Sequence, residues 1–265
     1  MVVPAVMLPV VGSLHGLRVH RPASVAEVLD LMEQYPQAQL VAGATWIMRA
    51  PMRAESLDGS VILLAGVAGL DECAVGDGAE FGAMVTLKRI AVATAGISSL
   101  QALHEAVSRA ATPGLRRMIT IGGSIAATEF HASDVLPALL CLDAEILRDR
   151  GLILGVRIPA TDRVSCHERL TWRSGNEYSV ATVSMSLLPT SGEIRVALGS
   201  VEQTPRRWTE VEQELTQGPL TPQRAEEVAK AHLNVLRPIA APGIPADYRL
   251  SVIPTVLARA VGRLA

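Results

Sequence analysis

Aromatic side chains make up only 3% of this sequence, too few for the stacking platforms that hold single-stranded nucleic acid. Charge of one sign is lacking as well. The net charge is −2, which excludes the clustered basic face of a nucleic-acid binder. Cysteine is scarce: Cys73, Cys141 and Cys166 stand far apart with no CxxC pair. That pattern encodes neither a structural zinc site nor a self-contained iron–sulfur cluster, so no metal is expected on this chain. Cys141, within Leu139-Leu140-Cys141-Leu142, reads as an inert buried thiol. Long hydrophobic runs are missing too. A membrane span needs about 20 apolar residues, whereas the runs at 61–70 and 135–142 are shorter and end at Asp71 and Asp143. Residues 1–14 are apolar but contain Pro4 and Pro9 and no basic leader. A signal peptide is therefore not expected, and a cytoplasmic location is.

What is present suits a folded chain with a substantial core: 49% hydrophobic and 19% charged residues over 265 positions. That length accommodates two domains. After an irregular extension at 1–16, Ser24 and Glu27 form an S-x-x-E capping pattern, with Val25, Val28, Leu29 and Met32 at helical spacing until Pro36. Residues 39–42 and 61–64 read as buried strands. Residues 46–49 read as the start of a short helix limited by Pro51. Residues 73–75 and 80–83 read as a hairpin around Gly76-Asp77-Gly78. A helix is expected over 98–111, facing inward through Leu100, Leu103 and Val107, with His104 a surface or satisfied core histidine. Residues 118–122 read as a short buried strand broken at Gly122-Gly123, and Ser133 or Asp134 caps a helix through 136–142. Beyond Pro159 the pattern changes. Residues 180–188 and 193–198 alternate as two antiparallel strands joined at Thr190-Ser191-Gly192, and helices follow at 222–236 and 250–264. A boundary falls near 158–163. His167 and Glu168 read as surface residues.

Two glycine turns carry the only chemistry that the pattern suggests. Val41-Ala42-Gly43-Ala44-Thr45 and Thr120-Ile121-Gly122-Gly123-Ser124 each follow an apolar run and combine backbone N–H groups with a hydroxyl. Such turns form anion-binding nests suited to a diphosphate, and glycine lets the backbone approach it closely. Each is also what an ordinary turn looks like. No nucleophile–base pair and no metal-ligand cluster accompanies them.

In order, Arg21-Pro22-Ala23-Ser24, Leu40-Val41-Ala42-Gly43-Ala44-Thr45, Phe81-Gly82-Ala83-Met84-Val85-Thr86-Leu87, Arg116 with Thr120-Ile121-Gly122-Gly123, Ser133-Asp134 through Asp143-Ala144, Leu198-Gly199-Ser200-Val201 with Pro205-Arg206, and Ala246-Asp247-Tyr248-Arg249 stand along the chain. This ordered set resembles the flavoprotein (medium) subunits of molybdenum hydroxylases of the xanthine dehydrogenase and carbon monoxide dehydrogenase type, from about residue 17 to the C-terminus. The resemblance implies an α+β fold: a PCMH-type FAD-binding domain of two small α/β subdomains over 17–160, then a C-terminal antiparallel-sheet-and-helix domain over 161–265. It implies FAD, with the diphosphate held by Val41, Ala42, Gly43, Ala44, Thr45 and Trp46 and by Thr120, Gly122, Gly123 and Ser124. It also implies a polar contact from Thr128, a ribose hydroxyl on Asp134, and Ile153 and Leu154, next to Leu152, near the flavin or adenine. Molybdopterin and [2Fe-2S] clusters belong on partners: a large molybdopterin-binding subunit and a small two-cluster subunit. A dimer of such heterotrimers is one assembly this allows.

Departures from the family pattern are local. Ala44 replaces a glycine, Trp46 a small or acidic residue, and Ser124 an asparagine. One residue is inserted between Ser124 and Asp134. The segment before the strand that ends the first domain shrinks to 147–152, and Trp172-Arg173 and Ser179 stand where the family often has a lysine and an aspartate near the flavin. Three readings share these residues: an FAD-bearing electron-transfer subunit, a subunit that has lost FAD and serves as scaffold, and a lone flavin oxidoreductase or small-ligand binder.

Overall fold

The structure is a computed structural model that describes residues 17–53, 55, 59–76, 78–173 and 178–264. The expected 1–16 extension and Asp77 of the expected hairpin turn lie outside the described residues. Strand β1 (Arg18–His20) leads into helix α1 (Val25–Gln34). Ser24 Oγ accepts from the Glu27 N–H (3.2 Å), and Glu27 Oε2 accepts from the Ala23 N–H (2.8 Å). Two donors that the helix start leaves without partners are thereby satisfied. Strands β2 (Gln39–Val41) and β3 (Ser60–Leu63) complete a parallel sheet of order β1-β3-β2. Its core is Val28, Leu29, Ile62 and Leu64. Between β2 and β3 a 3-10 helix spans Ile47–Arg53 and includes Pro51, which was expected to limit it.

A second unit follows. Strands β4 (Cys73–Val75) and β5 (Ala79–Gly82) form the expected hairpin. Then come α2 (Leu87–Ala93), α3 (Gln101–Arg109), α4 (Pro113–Arg116), α5 (Ile121–Ala126) and α6 (Val135–Cys141). Strands β6 (Glu145–Asp149) and β7 (Leu152–Ile158) close an antiparallel sheet of order β4-β5-β7-β6. The shortened 147–152 segment is thus the tip of a hairpin. The strand expected at 118–122 does not form. Only Thr120 makes a bridge, to Thr86, and Thr120 then caps α5 by accepting from the Gly123 N–H on its Oγ1 (3.1 Å).

The third unit is the antiparallel sheet β11-β10-β9-β8, built from β8 (Val164–Thr171), β9 (Ser179–Leu188), β10 (Glu193–Gly199) and β11 (Arg206–Arg207). Helices α7 (Thr209–Leu215), α8 (Pro222–Ala231) and α9 (Ala246–Leu264) follow. The helix expected over 222–236 ends at Ala231, and a 3-10 turn follows at Leu233–Val235. Alternation decides which face does what. Cys166, Ala181, Val183 and Met185 pack with α8 and α9 in one apolar core. The other face carries Ser165, His167, Ser184 and Ser186, all buried, and meets α3 and α6. The Ser165 hydroxyl accepts from the Ala102 N–H (3.0 Å), and the Ser186 hydroxyl donates to the Cys141 carbonyl (2.5 Å). His167 is therefore not a surface residue: it is 0% exposed. Successive residues of a strand face opposite ways, so Glu168 lies on the α9 side, part-buried and paired with Arg263 (2.8 Å). Burial raises the Cys141 thiol well above its ordinary value and pushes that of Cys166 up to about 12.

Candidate functional site

The strand-to-loop junction after β2 and the start of α5 are pressed together. A Cβ at Gly43 would be driven into the Met118 carbonyl and lie 3.3 Å from the Thr120 nitrogen. Glycine is required here for that approach. Beyond Gly43 the chain turns through Ala44 in the left-handed region (φ 61°). Among the described residues, the backbone N–H groups of Gly43, Ala44, Thr45 and Trp46 donate to no backbone or side-chain acceptor. Four consecutive unengaged donors in such a turn form an anion nest.

The second turn behaves otherwise. The Ile121 N–H donates to the Val85 carbonyl (3.0 Å), Gly122 to Ala83 (2.9 Å), Gly123 to Thr120 Oγ1 and Ser124 to the Thr120 carbonyl (2.9 Å). These amides fasten α5 to the end of β5 and are not free donors, contrary to the expectation that both turns supply nests. A Cβ at Gly122 would stand 2.7 Å from Ala83 Cβ, so that glycine serves helix packing. At Gly122 and Gly123 the second turn presents bare backbone to the wall, flanked by Thr120 and Ser124.

Between the two lies a cavity of about 800 Å³, within the size range of nucleotide and cofactor sites. Of the expected site residues, Ala42, Gly43, Ala44, Thr45, Trp46, Thr120, Gly122, Gly123, Ser124, Thr128, Asp134 and Ile153 line it. Val41 and Leu154 do not. Val41 is in β2, its carbonyl engaged by the Leu64 N–H (2.9 Å), and Leu154 packs on the core of the first unit. Trp46 does not block the space. Its ring is held to one side by Phe130 (centroids 5.3 Å apart) and by the Arg53 guanidinium 4.2 Å from its centroid. Phe130 in turn meets Tyr178 at 5.3 Å, and Tyr178 Oη accepts from Arg49 Nη1 (2.7 Å).

Arg49, Arg53, Phe130, Arg169 and Tyr178 line the cavity and were not foreseen. A signal was available for some of them. The chain has three Trp, three Tyr and two Phe, and one of each gathers here. Asp134 was expected as a helix cap or a ribose acceptor. It makes no capping bond, and Ser133 Oγ accepts from the Leu136 N–H instead (3.4 Å). The Asp134 carboxylate faces Ser179 Oγ (2.9 Å), Arg169 Nη1 (3.2 Å) and His167 Nε2 (3.6 Å). Among the described residues no group of three His, Cys, Asp or Glu is placed to hold a metal ion. No helix among them is long and apolar enough to cross a membrane.

A glycine turn with unengaged amides and a buried carboxylate on the wall of one cavity of about 800 Å³ define a nucleotide-binding α+β protein. These residues fit a diphosphate-bridged cofactor. Residues 15–161 match the family described as the FAD binding domain in molybdopterin dehydrogenase, and residues 169–264 match the CO dehydrogenase flavoprotein C-terminal domain. The chain belongs to this family of molybdenum hydroxylase flavoprotein subunits. It is 26% identical to the nicotine 6-hydroxylase medium subunit of Paenarthrobacter nicotinovorans, over 94% of this chain and 97% of that protein. It is 23% identical to the xanthine dehydrogenase FAD-binding subunit of Escherichia coli O157:H7, over 91% of this chain and 94% of that protein. Its fold is that of the matching chain of carbon monoxide dehydrogenase from Hydrogenophaga pseudoflava, with a TM-score of 0.82, 22% identity, and 94% and 96% of the two chains covered. The matching chain of quinoline 2-oxidoreductase from Pseudomonas putida 86 has a TM-score of 0.81 at 19% identity, with the same coverage.

Proposed function

We propose that this chain holds FAD as the electron-transfer subunit of a heteromeric molybdenum hydroxylase. The observation that supports this most directly is the pressing of the Gly43 turn against Met118 and Thr120, with four unengaged amides beside a cavity of about 800 Å³. Residues 17–160 form the cofactor domain in this reading, and 161–265 the second domain. The amides of Gly43, Ala44, Thr45 and Trp46 hold the diphosphate. Gly122 and Gly123 keep the opposite wall clear, with the hydroxyls of Thr120, Ser124 and Thr128 beside it. Asp134 accepts a ribose hydroxyl, and Ile153 packs against a ring. When bound, FAD supplies the redox chemistry, taking electrons from the [2Fe-2S] clusters of a small partner and passing them to NAD⁺, a quinone or oxygen. A large molybdopterin subunit performs the hydroxylation, a dimer of heterotrimers is the assembly allowed, and the location is cytoplasmic.

The test is the purified protein. It should be yellow, with about one FAD per chain, and should co-purify with a molybdenum subunit and an iron–sulfur subunit. Gly43→Ala should lose most of the flavin while keeping its circular dichroism. A colourless wild-type chain that still joins its partners would establish the scaffold reading instead. A yellow chain without partners would establish the lone flavoprotein.

A further inference from the structure

Behind Asp134 the cavity floor is polar and closed. Asp134 is 5% exposed, and His167 and Ser184 are both 0% exposed. His167 and Ser184 are direct cross-strand partners on β8 and β9. His167 Nδ1 lies 2.8 Å from Ser184 Oγ, and its Nε2, without a hydrogen-bond partner among the described residues, lies 3.6 Å from Asp134 Oδ1. Electrostatics selects the tautomer. A bare Nε2 lone pair facing a carboxylate is repulsive, so the proton belongs on Nε2 and the Ser184 hydroxyl donates to Nδ1. The backbone that carries the ring is pinned on both sides. The His167 N–H donates to Glu105 Oε2 (2.9 Å), and its carbonyl accepts from Arg263 Nη1 (3.3 Å). Ser, His and Asp in line suggest a hydrolase, but Ser184 is sealed in the interior and no substrate reaches it.

We propose that His167 is a positioning residue for FAD binding, an inference that rests on the functional reading above. Its Nε2–H, with Ser179 and Arg169, holds the Asp134 carboxylate from behind. A carboxylate has about four acceptor sites, so capacity remains toward the cavity for the adenosine ribose hydroxyls. At 3.6 Å the Nε2–H lies beyond hydrogen-bond length, so it acts on Asp134 Oδ1 as a dipole aimed at a charge.

The experiment measures binding of FAD and of its 2′,3′-dideoxyadenosine analogue to apo-protein by flavin fluorescence, with melting temperatures alongside. Wild type should prefer FAD by about tenfold, the worth of one hydrogen bond to a charged group. His167→Leu should bind the two nearly equally. His167→Gln, whose amide reaches the Nε2 position, should restore the preference, and His167→Asn, which reaches only Nδ1, should not. A folded His167→Leu that discriminates like wild type overturns the proposal, and so does a folded His167→Gln that fails to rescue. If His167→Leu does not fold, Ser184→Ala carries the same comparison: reduced preference supports the role and unchanged preference overturns it. A wild-type chain that binds no FAD overturns the functional reading and the proposal together, whereas one that binds both nucleotides equally overturns only the role of Asp134 and His167.

Discussion

At Ala44 the chain uses an alanine where the backbone is left-handed, at φ 61°. For an alanine that conformation costs about 1–2 kcal/mol; a glycine there would relieve it, and its greater unfolded-state entropy would offset part of the gain. Ala44→Gly should therefore stabilise the fold by about 0.5–1 kcal/mol, read as a small rise in midpoint in urea. It should leave FAD affinity close to wild type, because the nest uses the N–H and not the methyl. The departure was legible only through the resemblance, in which Ala44 takes the place of a glycine. His167 was not. Two adjacent polar residues, His167 and Glu168, read as surface in the sequence. On β8 the same adjacency sends them to opposite faces, and both faces are covered. His167 lies under α3 and α6 and Glu168 against α9, a tertiary fact beyond the reach of a local pattern. Trp46 was legible as bulky, but not as leaning aside on Phe130 and Arg53, since Phe130 comes from a distant loop and Arg53 from the end of a 3-10 helix that the pattern did not extend so far.

At the scale of elements, the strongly patterned pieces were readable: α1 with its cap, the β4–β5 hairpin, β9 with β10, and α9. Weak patterns were not. Helix α2 escaped notice because it is seven residues long, although Thr86 caps it by accepting from the Arg89 N–H (3.3 Å). The apolar run before Gly122 suits a strand, yet Thr120 offered a cap and the glycines fitted beneath Ala83, so tertiary packing made it a helix start. The joint between α3, β8 and α9 makes a separate prediction. Glu105, 7% exposed, pairs with Arg263, which also reaches Glu168 at 2.8 Å. Burial alone would raise the Glu105 carboxyl, but hydrogen bonds from Arg263, the His167 N–H and Gln101 outweigh it and hold it below the ordinary value of 4.5. A carboxyl lowered in the folded state stabilises the protein above its unfolded pKa, and the contribution disappears as pH falls through the folded value. Glu105→Gln should cost about 2 kcal/mol at pH 7. The difference from wild type should shrink toward zero as pH drops below about 4, as measured by urea unfolding across pH.

At the scale of the whole molecule, the two larger cores share a wall. Ala197 of β10 belongs to the core of the second unit, and α6 packs on β9 and β10. The resemblance foretold two domains and a C-terminal sheet with helices. It did not foretell that this sheet would be covered on both faces, with serines and a histidine turned toward the cofactor side. That arrangement puts Asp134 at once on the cavity wall and on the joint between the units. It also leaves Cys141 and Cys166 sealed near the joint, 0% and 1% exposed, while Cys73 is only half-buried. An alkylating reagent attacks only ionised sulfur that it can reach. In the native protein it should modify Cys73 promptly, Cys141 only when the units part, and Cys166 only when α8 and α9 come away from the sheet. The lag between the Cys73 adduct and the Cys141 adduct, followed by mass spectrometry, therefore serves as a clock for that separation, and saturating nucleotide should slow the clock without touching the first adduct.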